Sequence, residues 1–184
     1  MLPRLTARFA GALYFLGVLT AVSNEFVAHG KLGLLGILIP VGCQIGVTLL
    51  LYVVFEPVSR SLALLAACFQ FVTLTCEAFH LQPLGMNIGM AFHGVYCLLM
   101  GYLMVRSGFL PRILSLLMIF AGLVWLVYLS PPLAKLITPY NTACGLGGEA
   151  LPMLWLLAAG VNPQRWREQP RAAGGERTQR ALRS

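Results

Sequence analysis

The 184-residue chain contains no aspartate, and only 10% of it is charged, whereas 58% is hydrophobic. A soluble domain carries about a quarter of its residues as charges, so there is too little polar material here to clothe a water-facing exterior. None of the five cysteines, Cys43, Cys68, Cys76, Cys97 and Cys144, forms a Cys-x-x-Cys pair. That argues against a thiolate metal site and against a disulfide framework, with a Cys76–Cys144 bridge left open as a pairing on one side. No alternating apolar–polar pattern of barrel strands runs through the chain, and no basic patch is interleaved with aromatics, so nucleic-acid binding is not expected.

What remains is a series of long apolar stretches. A helix needs roughly 20 apolar residues to cross the hydrocarbon core of a bilayer. Six such stretches predict an all-α polytopic transmembrane bundle, with spans at about 9–25, 32–55, 61–80, 86–105, 113–129 and 141–161. Proline and glycine punctuate them: Glu56-Pro57, Gln82-Pro83-Leu84-Gly85, Gly108 with Pro111, and Pro131-Pro132. The first span also has features of a cleaved signal peptide, with Arg4 and Arg8 ahead of it and Ala21-Val22-Ser23 at its end. Its length and its close on Asn24-Glu25 favour a retained anchor.

The basic residues sort to one side. Arg4, Arg8, Arg60, Arg106, Arg112 and six tail arginines fall in alternate flanks, and only Lys31 and Lys135 fall in the others. Basic loops stay in the cytoplasm during insertion, which predicts that both termini are cytoplasmic. Residues 1–161 then form the transmembrane domain, and 162–184 form a basic, disordered cytoplasmic tail. Arg165, Arg167, Arg171, Arg177, Arg180 and Arg183 make that tail a stop-transfer flank, with anionic lipid headgroups as a second partner.

Ionisable groups inside spans are costly and are candidates for function. Glu25, Glu77, His80, His93 and Glu149 all fall in the outer half of the predicted membrane. Gln70, Thr73, Glu77 and His80 share one face of the third helix, and His93, Tyr96, Cys97 and Met100 share one face of the fourth. Gln44, Thr48 and Tyr52 form a polar stripe on the second. Glu77-Ala78-Phe79-His80 is a Glu-x-x-His unit, the spacing that presents a carboxylate and an imidazole to one metal in helical bundles. Glu25, His93 and Glu149 could complete such a site, with a metal ion or a haem as its cofactor. As catalytic groups, Glu149 or Glu77 would serve as base or ligand, and His93 as ligand or proton donor. The competing expectation is a hydrogen-bonded polar network that holds the bundle together.

Several segments carry a family likeness: Arg8–Gly17 in the first helix, Pro57–Leu65 at the third, and Gly101-Tyr102-Leu103 running into Arg106–Leu114. His93-Gly94 and Gly148-Glu149 complete the set. The chain thereby resembles, from about Arg8 to Val161, the bacterial membrane family known as domain of unknown function 4386. The resemblance implies a six-helix protein of the bacterial inner membrane. It implies no activity, and the Glu77–His80 unit is not part of the family pattern. Two functional classes follow. One is a non-catalytic membrane protein that binds a small molecule or lipid or joins a homo- or hetero-oligomeric assembly. The other is a membrane metalloenzyme or acid–base or redox enzyme with an outer-facing Glu/His site.

Overall fold

A computed structural model describes residues 3–23, 33–79, 81, 83 and 86–169. Those residues are helical, with no strand among them. The helices are α1 (Pro3–Val22), α2 (Gly33–Phe55), α3 (Arg60–Ala78), α4 (Ile88–Ser107), α5 (Arg112–Leu126), α6 (Pro131–Ile137), α7 (Tyr140–Ala158) and α8 (Pro163–Gln169). A 3₁₀ turn, Val127–Leu129, extends α5.

Five helical stretches are long and apolar enough to cross a membrane: Pro3–Val22, Leu38–Phe55, Arg60–Ala78, Ile88–Ser107 and Arg112–Leu129. Helix α7 joins them only when taken together with α8, across a bend of 105°. Asn141, Thr142, Glu149 and three glycines dilute its apolar character. Its 19 residues still reach about 28 Å at 1.5 Å per residue, close to the thickness of the hydrocarbon core. The protein is therefore a multi-pass membrane protein with five or six spanning helices.

The six long helices form a closed ring. Each packs on its neighbour in sequence, from α1 through α5, and α7 closes the ring by packing on both α5 and α1. Sequence order thus becomes spatial order. The ring is apolar outside: Phe9, Leu16, Leu49, Leu64, Ile113, Leu116, Leu123 and Leu154 all point outward and exposed. The buried side includes Thr6, Thr48, Gln70, Thr73, His93 and Glu149. The Thr48 and Thr73 hydroxyls donate to the carbonyl four residues back, to Gln44 at 2.8 Å and to Phe69 at 3.1 Å.

The ends of the helices are closed in a consistent way. Helix α1 starts at Pro3, ahead of the expected span, and its Arg4 and Arg8 find acceptors at the carboxyl end of α7. Arg4 Nε donates to the Ala159 carbonyl at 3.2 Å and Arg8 Nη2 to the Ala158 carbonyl at 2.6 Å. Helix α4 ends on Gly108 in the left-handed region, at φ 62°. The segment after Asn162, read from sequence as the start of an unfolded tail, opens with α8. Three of its side chains seat it on the carboxyl ends of other helices. Arg165 Nη1 donates to the Gly108 carbonyl at 2.8 Å, Gln169 Nε2 to Ser107 at 2.7 Å, and Trp166 Nε1 to Val54 at 2.9 Å. Cations and N–H donors at helix carboxyl ends satisfy carbonyls that have no partner within the helix. Residues 170–184 lie outside the described residues.

Bare backbone brings α4 and α5 together. A Cβ built on Gly94 would lie 2.8 Å from the Gly122 carbonyl oxygen, and one on Gly122 would lie 2.8 Å from that of Gly94. Close crossings of this kind take the place of hydrophobic driving force inside a bilayer. Gly122→Val is expected to cost about 1–3 kcal/mol by overpacking, read as a lower thermal midpoint in detergent. Gly147→Ala meets nothing within 4 Å, and should be neutral or stabilising by up to about 1 kcal/mol through helix propensity. Equal destabilisation by both changes would remove the close crossing as an explanation.

Candidate functional site

The ring brings polar side chains from all six of its helices to one place. On α4, His93 and Cys97 are four residues apart and therefore lie one above the other on the inner face. On α7, Gly145, Gly148 and Glu149 are buried together. A Cβ on Gly145 would lie 2.6 Å from the Trp125 ring, so the α5 indole rests directly on α7 backbone. That contact aims its N–H at Glu149.

Glu149 is 4% exposed, and its carboxylate is surrounded by donors. His93 Nε2 lies 2.9 Å from Oε1. Trp125 Nε1 also donates to Oε1, and the Cys97 thiol points at the same oxygen from 3.5 Å. The Tyr14 hydroxyl of α1 donates to Oε2 at 3.5 Å. On the other side of the imidazole, Nδ1 faces Oε1 of Gln70 at 2.9 Å. Gln70, His93 and Glu149 thus form a continuous line from α3 through α4 to α7. Both imidazole nitrogens face oxygens, an arrangement satisfied when His93 carries two protons and Glu149 is ionised. Turning the Gln70 amide over lets a neutral imidazole satisfy the same contacts. The Tyr96 ring packs on the imidazole at 5.6 Å and the Trp125 ring meets it edge-on at 5.8 Å. Among the described residues, no lysine or arginine approaches the carboxylate.

A cavity of about 170 Å³ opens beside this line. Tyr14, Gln44, Gln70, Thr73, Glu77, His93, Trp125 and Glu149 contribute to its wall. A second cavity of about 190 Å³, lined by Gly17, Ala21, Pro40 and Val41 among others, shares Val18, Gln44, Leu74 and Glu77 with the first. Together they lead from the buried pair toward the end of the ring where α1 finishes and α2 begins. Glu77 sits between the two, half-buried, with its Cγ against Gly89.

His93 and Glu149 are in direct contact, and Glu77 faces the same cavity without joining the hydrogen-bonded line. His80 and Glu25 lie outside the described residues. The expected stripe on α3 does point inward, with Gln70 and Thr73 buried. Tyr14 and Trp125 were not anticipated as site residues. Tyr14 had a weak signal, since it lies in register with Ala7, Ala10 and Gly17 on a buried small-residue face of α1. Trp125 had none, being an aromatic in an apolar span. The five cysteines are free.

A buried carboxylate inside a bilayer is stable only while its donors are present. Trp125→Phe keeps the ring but removes one N–H. The expected cost is about 1.5–3 kcal/mol, the worth of a hydrogen bond to a charged group, read as a fall in thermal midpoint. In a Glu149→Gln background, with the charge gone, the same Trp125→Phe change should cost less than half as much. Additive effects in that double-mutant cycle would show that the indole does not stabilise the carboxylate.

Comparison with known proteins places most of this site within one family match. An uncharacterized protein of Archaeoglobus fulgidus is 25% identical over 138 residues, covering 69% of this chain and 83% of the relative. No solved structure matches the chain. Residues 72–160, from the last turns of α3 through α7, match a family model and contain His93, Cys97, Trp125 and Glu149, while Tyr14 and Gln70 lie before the match. The family so matched is the one that the sequence resembles, described as Domain of unknown function (DUF4386), and it carries no assigned activity.

Proposed function

We propose that this protein binds a small polar solute in the cavity beside His93 and Glu149, within the cytoplasmic membrane of a bacterium. The observation that carries this reading is the convergence of one polar wall from six helices on a space of about 170 Å³. That is comparable to an engineered cavity of roughly 150 Å³ that takes up benzene. The difference lies in the lining. Glu77, Gln44 and Thr73 face a space that the hydrogen-bonded line does not fill. A carboxylate without an ion-pair partner among the described residues favours a cationic or hydrogen-bond-donating solute.

In this reading residues 1–161 are the membrane domain and both termini are cytoplasmic. Support comes from the clustering of Arg4, Arg8, Arg60, Arg106, Arg112 and Arg165 at one end of the ring, against Lys135 at the other. The cavities then open toward the outer face. The basic segment from 162 onward serves as an anchor at anionic headgroups, with α8 as its docked beginning. An acid–base enzyme is the second reading. It is favoured by the 2.9 Å contact between His93 and Glu149 at the cavity wall, a pairing able to take and return a proton.

Cysteine accessibility tests the solute reading. Gln44→Cys, in a chain with its five cysteines replaced, is expected to react with a small impermeant cationic thiol reagent added outside intact cells. An anionic reagent of the same size should react more slowly, and Glu77→Gln should erase that difference. If no polar reagent reaches the introduced thiol from outside, both the open cavity and the assigned orientation of its mouth fail.

A further inference from the structure

We propose that His93, Cys97 and Glu149 are the protein ligands of a divalent transition-metal ion, with the fourth coordination position facing the cavity. Only that last clause rests on the reading of the cavity as a solute site.

The ligand atoms are already gathered. His93 Nε2, Cys97 Sγ and a Glu149 carboxylate oxygen all lie within 4.8 Å of one another, and all three residues are buried. In a tetrahedral site with metal–nitrogen and metal–oxygen bonds of about 2.0 Å and a metal–sulfur bond of about 2.3 Å, the ligand–ligand edges come to roughly 3.3–3.5 Å. The observed Cys97–Glu149 separation is 3.5 Å. The His93–Glu149 separation is 2.9 Å, so this edge must lengthen by a few tenths of an ångström when the metal replaces the shared proton. His93 and Cys97 are four residues apart on one helix, the same offset that lets paired histidines on a helix grip zinc. Glu149 reaches across from α7, tying the two sides of the ring together.

The outer contacts have the form that a metal site requires. A metal-bound imidazole almost always donates its other ring N–H to an oxygen. Here Nδ1 faces Gln70 Oε1 at 2.9 Å. A ligating carboxylate is usually held by further donors, and Tyr14 and Trp125 supply them. These groups fix the ligands before any ion arrives.

Charge balance favours a dication here. A thiolate and a carboxylate together offset the ion's two positive charges, and neutral His93 adds none, so the loaded site is neutral in an apolar bundle. The exchange balances as follows. The metal enters from water, and Cys97 loses its thiol proton to solvent. His93 loses a second proton if it began as imidazolium, or moves its proton from Nε2 to Nδ1 if it began neutral. No oxidant is needed. One imidazole, one thiolate and one carboxylate suit zinc, cobalt(II) or iron(II) better than magnesium or calcium.

Cobalt(II) alone is the probe, added to the full-length, detergent-purified protein after chelation. One equivalent should bind, giving the visible ligand-field bands of a tetrahedral site and a near-ultraviolet thiolate-to-cobalt band. Zinc should displace both. Cys97→Ala should abolish the near-ultraviolet band and weaken binding more than 100-fold, whereas Cys43→Ala and Cys76→Ala should leave the spectrum unchanged. Cys97 makes only a weak hydrogen bond, so its variant should still elute as a monodisperse helical protein. Gln70→Leu, which keeps all three ligand atoms, should weaken cobalt binding about 10- to 100-fold. A wild-type protein without stoichiometric cobalt bands, or a thiolate band that survives in Cys97→Ala, overturns the assignment. The cysteine-replaced chain used for solute access has no Cys97, so failure of either test leaves the other intact.

Discussion

One carboxylate organises the interior of this protein. Glu149 is buried in a bundle whose surroundings are hydrocarbon, where an unpaired charge costs several kcal/mol. Its oxygens are met by His93, Trp125, Tyr14 and Cys97, from α4, α5, α1 and α4 again. Each donor commits the helix that carries it to a position within hydrogen-bonding reach of α7. Satisfying one side chain therefore constrains half of the ring. Gln70 extends the constraint to α3 by holding the far nitrogen of His93. In a bilayer, where apolar surface gains nothing by leaving lipid for protein, such contacts are a large share of what makes one helix arrangement better than another.

Close backbone approach provides the remaining specificity. Gly94 and Gly122 let α4 and α5 cross at carbonyl contact, and Gly145 lets the Trp125 ring come directly against α7. The two devices depend on each other. Without the bare backbone at 145 the indole would stand off from α7, and its N–H would not reach the carboxylate. A polar centre and a small-residue seam are thus one design in this chain, not two.

The basic end of the ring follows a different logic. Arg4, Arg8 and Arg165 act as caps on carbonyls left open at helix ends. Helix α8 combines good helix formers and an Asn162 cap on the backbone N–H groups of Gln164 and Arg165 with docking, since its arginine, tryptophan and glutamine find such carbonyls. Composition alone reads 162 onward as an unfolded basic tail. What composition cannot register is that α2 and α4 end within reach of this segment and offer acceptors there.

The helical class, the places of the long helices and the sorting of charge were legible in the chain because they depend on local quantities: apolar run length, proline and glycine breaks, and the position of arginine. The inward stripe of Gln70, Thr73 and Glu77 was legible for the same reason, since helical period is local. His93 and Glu149 could be named because ionisable residues in spans are rare. That they touch is a different kind of fact. Their separation of 56 residues becomes 2.9 Å only because α7 closes the ring against α5 and α1, and no local pattern encodes that closure. The same holds for Tyr14 and Trp125, whose residue types suit a lipid-facing or core position equally well. Hydrophobic content and helical period decide what each helix is. The need to satisfy a buried carboxylate, met by groups far apart in sequence, decides how the helices stand around it.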